Sequence, residues 1–332
     1  MSSINALTLI RFTSEVLNMA SHEVRAMSVS GRTVVLAQAL VLFLQAKQLS
    51  GFSEKTIRAY AHDLRSFFKW IEGAALRQIT WEDFNRGEIS AWCATKKLST
   101  ATIARRVSTL KSFCKWAFEE RLITVNPLAA LETPRVRSKP PKYLTKKEYA
   151  YLLSVVRKFD KDKAILPGRD YAILVLFVST GLRISELMNI AITDVNLSDE
   201  TMLILRKGGN RQVLPIPKIA IRALRRWIRY RARFCQNVAL LSDALFISNH
   251  RRPMNAETIR NLCKKWFEVA GLSQKQLSPH SLRHTFGTAQ INIGTPIHVV
   301  KELLGHSSIE STMRYLHTRR DDLRRAVNKM KL

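Results

Sequence analysis

The sequence predicts a mainly α-helical protein of two domains with one small β-hairpin. Three observations support this fold class. Apolar residues recur at helical spacing through most of the chain, a basic proline-containing stretch interrupts them at 132-ETPRVRSKPPKY-143, and strict alternation is confined to 201–216. With 332 residues, 46% of them apolar, the chain is long enough for two packed cores.

The first domain is predicted over residues 31–133 as a four-helix unit, preceded by an extension, residues 1–30, to which we assign no role. The segment 53-SEKTIRAYAHDLRSFFKWIE-72 has one apolar face, with Ser53 as N-cap and Gly73 as the stop. The other helices are predicted over 33–47, from the capping box 80-TWED-83, and over 100–121.

Residues 134–142 are predicted as a basic linker, because their prolines oppose regular structure. A capping box of Thr145 and Glu148 then opens the second domain, residues 143–332. Its hairpin pairs 201-TMLILR-206 with 211-RQVLPI-216 through a glycine turn.

The net charge of +28 and the pI near 10.5 indicate a polyanionic partner, above all nucleic acid. A membrane surface is the weaker alternative, since no basic amphipathic segment carries a large aromatic face. The basic excess extends over both domains and the linker, which suits two lobes on one duplex; a solvated surface is the alternative for each group. The candidate DNA contacts are Arg105, Arg106, Lys111, Lys115, Arg135, Arg137, Lys139, Arg222, Arg226 and Arg229.

Other classes of protein fit less well. The longest apolar run, 171-YAILVLFV-178, is too short to span a bilayer and predicts a core helix. No secretion signal is visible, so we expect a cytoplasmic, nucleoid-associated protein. The four cysteines are widely spaced, which indicates reduced thiols rather than a zinc site or disulfides.

The segment 279-PHSLRH-284 predicts an anion-binding helix start. Ser278 as N-cap and proline at the first helical position place His280 in the first turn, with Arg283 three residues later on the same face. The positive end of the helix dipole favours a phosphate there. Metal binding by His280 and His284 is the alternative, but no third ligand is evident and we expect no metal.

Two further segments supply cations. In 180-TGLRISEL-187, Arg183 begins a helix among apolar neighbours and needs an anionic partner, either Glu186 one turn later or a phosphate. Lys207 is at the hairpin tip before two glycines, which let backbone approach a ligand closely, although a lysine in a turn is usually just exposed to solvent.

The stretch 301-KELLGHSSIESTMRYLHT-318 adds the last groups. Gly305 ends a helix that begins after Thr295, His306 follows, and Tyr315 is predicted on the next short helix. Most tyrosines with such apolar neighbours are core residues. Arginines, histidines, a lysine and a tyrosine together nevertheless suit attack of a phenolic oxygen on a phosphodiester, without a metal, ATP or other cofactor.

These motifs resemble those of the tyrosine recombinases (phage integrase family), and most closely the branch of Xer-type and mobile-element integrases. The resemblance includes 51-GFSEKTIRAYAHDLRSFFKWI-71 and 207-KGGNRQVLP-215 and covers about residues 33–332. It implies a SAM-like core-binding domain and a catalytic domain that form a C-shaped clamp on double-stranded DNA. The residues it implies are Arg183, Lys207, His280, Arg283, His306, the nucleophile Tyr315 and the supporting Glu186.

The resemblance also implies a synaptic homotetramer, a 3′-phosphotyrosyl intermediate and strand exchange through a Holliday junction. The tail 319–332 is expected to dock on a neighbouring protomer or on its own. Chromosome dimer resolution, phage or transposon integration and cassette exchange all fit. A non-catalytic DNA-binding protein and a type IB topoisomerase are the other classes considered; the first does not require Arg183, His280, Arg283 and Tyr315 together.

Overall fold

The structure is a computed structural model in which the chain divides into two compact units, residues 1–138 and 139–332. The expectations for the extension 1–30 and the tail 319–332 concern residues outside the described part. The described residues are 31–75, 79–95, 97–136, 141–159, 168–206, 208–236, 243–313 and 315.

The first unit is helical throughout its described elements, around a core rich in aromatic rings. Phe43, Phe67 and Phe113 are fully buried, and Phe67 meets Trp92 edge to face. Such rings bury large apolar areas and stabilise small helical units. The helices are α1 (Gly31–Leu49), α2 (Glu54–Ala75), α3 (Arg86–Ala94) and α4 (Thr100–Glu119).

Two predicted helix boundaries in this unit are wrong. The box of Thr80 and Asp83 frames only a 3₁₀ turn, and α3 begins later, where the Asn85 side chain accepts from the amide of Glu88. Gly73 lies inside α2 rather than at its end. A glycine within a helix costs only about 1 kcal/mol, which tertiary packing readily offsets.

The second unit is built around a helix that is buried on every side. Residues 172–177 of this helix, α6, have no exposed surface, in agreement with their continuous apolar sequence. Helix α6 (Arg169–Thr180) packs against α5 (Lys146–Phe159), α8 (Lys218–Phe234) and α10 (Pro279–Asn292). The helices are α5 (Lys146–Phe159), α6 (Arg169–Thr180), α7 (Ile184–Met188), α8 (Lys218–Phe234), α9 (Ala256–Val269), α10 (Pro279–Asn292), α11 (Ile297–Leu304) and α12 (Glu310–Met313).

A small antiparallel sheet of three strands, which lie side by side in chain order, completes this unit. The predicted hairpin is confirmed as β2 (Thr201–Leu205) and β3 (Arg211–Pro215), with Met202 opposite Leu214. The sequence did not indicate β1 (Val195–Asn196), because two residues are too few to show alternation. The predicted fold class, mainly helical with a small sheet, is confirmed.

Two helix ends meet beside this sheet. Helix α6 ends at Gly181 and α11 at Gly305, both with positive φ (66° and 59°). A Cβ at Gly181 would lie 2.8 Å from Cδ2 of Leu304, so the absence of a side chain lets the two ends approach.

Two further observations concern the cysteines and the lengths of the helices. All four cysteines are buried and unpaired with one another. Among the described residues, no helix combines the length and apolar character needed to cross a membrane.

Candidate active site

The carboxyl end of α11 holds three arginines that come from three separate segments. Each guanidinium donates through Nη2 to a different backbone carbonyl, and the three carbonyls are successive. The exposed carbonyls at a helix end carry partial negative charge, which stabilises cations there. The pairs are Arg206 with Leu303 at 2.7 Å, Arg283 with Leu304, and Arg183 with Gly305 at 2.8 Å.

Glu186 links the same three arginines from the other side. Its carboxylate, 2% exposed, is 2.6 Å from Arg183, 2.9 Å from Arg206 and 3.8 Å from Arg283. Burial alone would raise the pKa of Glu186, but the backbone amide of Arg183 and the guanidinium charges outweigh it, so the pKa lies below its usual value. Glu186 is therefore ionised and fixes the cluster.

Arg283 is the most deeply buried arginine of the cluster, at 4% exposure. Its Nη1 donates to the carbonyl of Gly181 at 2.7 Å. Burial, and then the charge of Arg183, lower the pKa of Arg283 to about 10, so it is still a cation at neutral pH.

Three guanidinium cations and one carboxylate leave a surplus of two positive charges in the cluster. The Arg183 side chain is 25% exposed, so this surplus is accessible from solvent. A partly buried surplus of positive charge with free guanidinium hydrogens is suited to a phosphate group.

Gly305 is required for this arrangement in two ways. Its φ of 59° is one that side-chain-bearing residues rarely adopt, and a Cβ there would lie 2.7 Å from Nε of Arg206. The glycine that the sequence indicated as a helix stop therefore also leaves room for a guanidinium.

The two histidines of α10 occupy different surroundings. Ser278 precedes the helix as predicted; His280 in its first turn is exposed, His284 is half-buried and Arg283 is buried. Within the described ranges, no group of three or more His, Cys, Asp or Glu is placed to hold a metal ion.

Tyr315 lies beside the arginine cluster. It is in a turn two residues beyond the end of α12, so the prediction that it lies on that helix is wrong. Its side chain is 2% exposed, and its hydroxyl is hydrogen-bonded to Nδ1 of His284 at 2.9 Å. His306 stacks parallel to the tyrosine ring, with centroids 6.2 Å apart, and is itself hydrogen-bonded to Thr312. The structure thus brings Tyr315 and His306 together, and adds His284.

Lys207 lies outside the described residues, but its neighbour Arg206 is a site residue that the sequence reading missed. A signal was present: Met202, Ile204 and Arg206 continue one alternating pattern, and all three are buried. An arginine that continues the inward face of a strand just beyond its end needs an anionic partner in the core.

The candidate DNA contacts on α4 lie in different surroundings, and the prediction for Arg106 is wrong. Arg106 is buried, with its guanidinium 4.2 Å from the ring centre of Trp92, so it is not available to an external duplex. Its position continues the apolar face of α4, and cation–π contact with Trp92 replaces solvation. Arg105 pairs with the buried Asp63, while Lys111 donates to a backbone carbonyl. Lys115 is exposed beside Glu119 on the same helix.

The remaining candidate DNA contacts lie in residues 135–139 and on α8. Arg135 is exposed, and Arg137 and Lys139 lie outside the described residues. On α8, Arg222, Arg226 and Arg229 are exposed, as expected. We name the surface they share with two further arginines the arginine surface; it borders a groove of about 540 Å³ and comprises Arg222, Arg225, Arg226, Arg229 and Arg233.

Comparison with known protein families gives two matches. Residues 142–321 match the model described as "Phage integrase family". Residues 42–121 match "Phage integrase, N-terminal SAM-like domain". The two matches fall in the two compact units and together cover most of the chain.

Individual proteins agree with these matches. Tyrosine recombinase XerC of Anoxybacillus flavithermus is 32% identical over 290 residues, covering 86% of this chain and 94% of the relative. Tyrosine recombinase XerD of Proteus mirabilis is 30% identical, covering 82% and 86%.

Among solved structures, XerH recombinase bound to palindromic difH substrate aligns with a TM-score of 0.68 at 20% identity, over 82% of this chain and 79% of that one. The integrase of transposon Tn1549 bound to transposon right-end DNA aligns with a TM-score of 0.66 at 22% identity, over 86% and 98%. At these identities the likeness concerns the fold.

Proposed function

The chain belongs to the phage integrase family as a site-specific tyrosine recombinase of Xer-like type, and we propose that Tyr315 is its nucleophile. In this proposal the enzyme cleaves and rejoins double-stranded DNA through a 3′-phosphotyrosyl intermediate. The observation that carries the proposal is the convergence of Arg183, Arg206 and Arg283 on one helix end, next to a tyrosine.

The arginine cluster is proposed to bind the scissile phosphate. The surplus of positive charge beyond Glu186 supports this role, since a phosphodiester carries one negative charge that rises in the transition state. Arg183, the most exposed of the three, contacts a non-bridging oxygen, and Arg283 offsets the developing charge from within the protein.

The chemical step is an exchange of one phosphate ester for another. The Tyr315 oxygen attacks phosphorus and forms the P–O(Tyr) bond while the bond from phosphorus to the 5′ oxygen breaks. The phenolic proton passes to a histidine, with His280 and His306 as the proposed relays, and Lys207 protonates the departing 5′ oxygen. The phosphotyrosine keeps the ester bond energy, so attack by a 5′ hydroxyl reverses the step without ATP.

At the level of assembly, we propose that the two units clamp one duplex and that four protomers form the synaptic complex. Strand exchange then proceeds through a Holliday junction, and the tail 319–332 joins neighbouring protomers. The net charge of +28 supports a DNA partner. The arginine surface and the exposed Arg135 and Lys115 are proposed to contact phosphates along the duplex.

A suicide substrate, a duplex with a nick beside the cleavage position, tests this function. Because the released fragment diffuses away, wild-type protein should accumulate as a covalent protein–DNA adduct on denaturing gels. Tyr315→Phe should bind the same duplex but give no adduct. Binding without any wild-type adduct would favour a non-catalytic DNA-binding protein instead. The substrate is selected from repeated sequences beside the gene.

A further inference from the structure

Tyr315 is held in a position where it does not meet solvent. Its side chain is 2% exposed and belongs to a small apolar cluster with Phe286, Val300 and Leu304. The arginine cluster, in contrast, opens to solvent at Arg183, which is 25% exposed. A phosphate on an external duplex can therefore reach Arg183, while the Tyr315 oxygen is covered.

The hydroxyl of Tyr315 is occupied as well as covered. It is hydrogen-bonded to Nδ1 of His284 at 2.9 Å, and the two rings are 5.5 Å apart at 54°. His284 is on α10, immediately after Arg283 and one turn after His280. The same helix thus contributes both to the proposed phosphate site and to the contact that holds the tyrosine.

Gly287 provides the surface on which the tyrosine ring lies. A Cβ at this position would be 2.8 Å from Cζ of Tyr315 and 3.0 Å from Cε1, closer than side-chain carbons normally approach. Gly287 is inside α10, where glycine costs about 1 kcal/mol relative to alanine. Close approach of the tyrosine ring is the reason the structure gives for a glycine here.

We propose that 284-HTFG-287 is a seat that holds Tyr315 between reactions, and that His284 is a positioning residue which retains the hydroxyl until DNA is bound. This inference rests on the proposed function, in which Tyr315 is the nucleophile. Tyr315 leaves the seat to reach phosphorus, so the fraction of protein with an available nucleophile is set by the His284 contact and the fit at Gly287. The seat limits strand cleavage by protein that has not engaged DNA.

Nitration of tyrosines in the full-length protein without DNA tests the seat independently of cleavage. Peptide mass spectrometry follows Tyr315, with Tyr151, 57% exposed, as an internal reference. In the wild type, Tyr315 should react at least about tenfold more slowly than Tyr151. His284→Leu removes one hydrogen bond and should raise the Tyr315 rate about fivefold, whereas His284→Asn keeps a polar atom near the Nδ1 position and should restore protection.

Gly287→Ala is a second route to the same result, because the added methyl group displaces the ring and leaves His284 intact. It too should raise nitration of Tyr315. Equal reactivity of Tyr315 and Tyr151 in the wild type would overturn the seat. So would unchanged protection in both His284→Leu and Gly287→Ala.

The adduct assay on the nicked duplex separates the seat from a catalytic role. Under single-turnover conditions, His284→Leu should form adduct at least as fast as the wild type, and up to about fivefold faster. A loss of tenfold or more with nitration unchanged would show that His284 acts on the reacting atoms and would overturn its positioning role. If the nitration pattern is as expected but even the wild type gives no adduct, the seat is supported and the nucleophile assignment fails.

Discussion

Arg206 and Glu186 form a buried ion pair in which Nη1 of the arginine is 2.9 Å from Oε2 of the carboxylate. Their side chains are only 7% and 2% exposed, so water replaces neither partner if the other is removed. Glu186 also binds Arg183, which makes the pair part of the proposed phosphate site rather than an isolated contact.

We therefore predict that Arg206→Ala lowers the free energy of unfolding by about 3 kcal/mol, the usual cost of breaking a buried pair. Adduct formation should fall by about 100-fold or more, because Arg183 loses its fixed position. Urea unfolding and the suicide-substrate assay measure these two effects. The matched control is Arg260→Ala, whose arginine pairs with Glu257 on the surface and should change stability by less than about 0.5 kcal/mol. Equal effects of the two substitutions would contradict the prediction.

Arg183 and Arg206 show which contacts of the site could be predicted from the sequence and which could not. The Arg183–Glu186 pair is local, three residues apart on a helix start, and was predicted. Arg206 reaches the same carboxylate from the position just after β2, 20 residues away, and its carbonyl acceptor is on α11. Only the inward register of the strand hinted at it, because tertiary contacts are not encoded in a local period.

Arg106 and Tyr315 could not be placed correctly from the sequence for the same reason, because their partners lie on other helices. Arg106 continues the apolar face of α4, and its ring partner Trp92 is on another helix, so a basic residue that looked external is internal. Tyr315 lies beside His306, nine residues earlier in the chain, but its contact with His284 joins residues 31 positions apart. The periodicity of apolar residues predicted where helices form, but it does not tell which side chains of different helices meet.

Glu186 is predicted to make stability depend on pH in the acid range. Its pKa is lowered in the folded state, so its stabilisation is complete above the unfolded value of about 4.3 and is lost as the pH falls through the lower folded value. The difference in unfolding free energy between wild type and Glu186→Gln should be constant from pH 8 to about pH 5 and then shrink. Urea titrations at each pH measure it. A difference that stays constant down to pH 3.5 would refute this prediction.

Gly305→Ala should disrupt the arginine cluster, and Gly294→Ala provides the control. Both glycines have positive φ, 59° and 87°, and each substitution should cost about 1 kcal/mol of backbone strain. Only at Gly305 would the new Cβ meet a neighbour, Arg206 at 2.7–2.9 Å; nothing lies within 4 Å at Gly294. We predict reduced stability for both variants but loss of adduct formation for Gly305→Ala alone. Normal cleavage by Gly305→Ala would argue against a role for Arg206 in the site.

The arginine surface on α8 gives a prediction about binding rather than chemistry. Its five side chains border one groove, and a duplex backbone that occupied it would release a counterion for each phosphate neutralised. Arg229→Ala should therefore weaken DNA binding while reducing the slope of log K against log salt by about 0.9, with the cleavage rate at saturating protein unchanged.

Arg260→Ala, an exposed arginine on α9 paired with Glu257, is the matched control and should leave the slope as in the wild type. Fluorescence anisotropy between 50 and 200 mM salt, the usual range for such slopes, measures both variants. An unchanged slope for Arg229→Ala would mean that this surface is solvated in the complex and that the phosphates are held elsewhere.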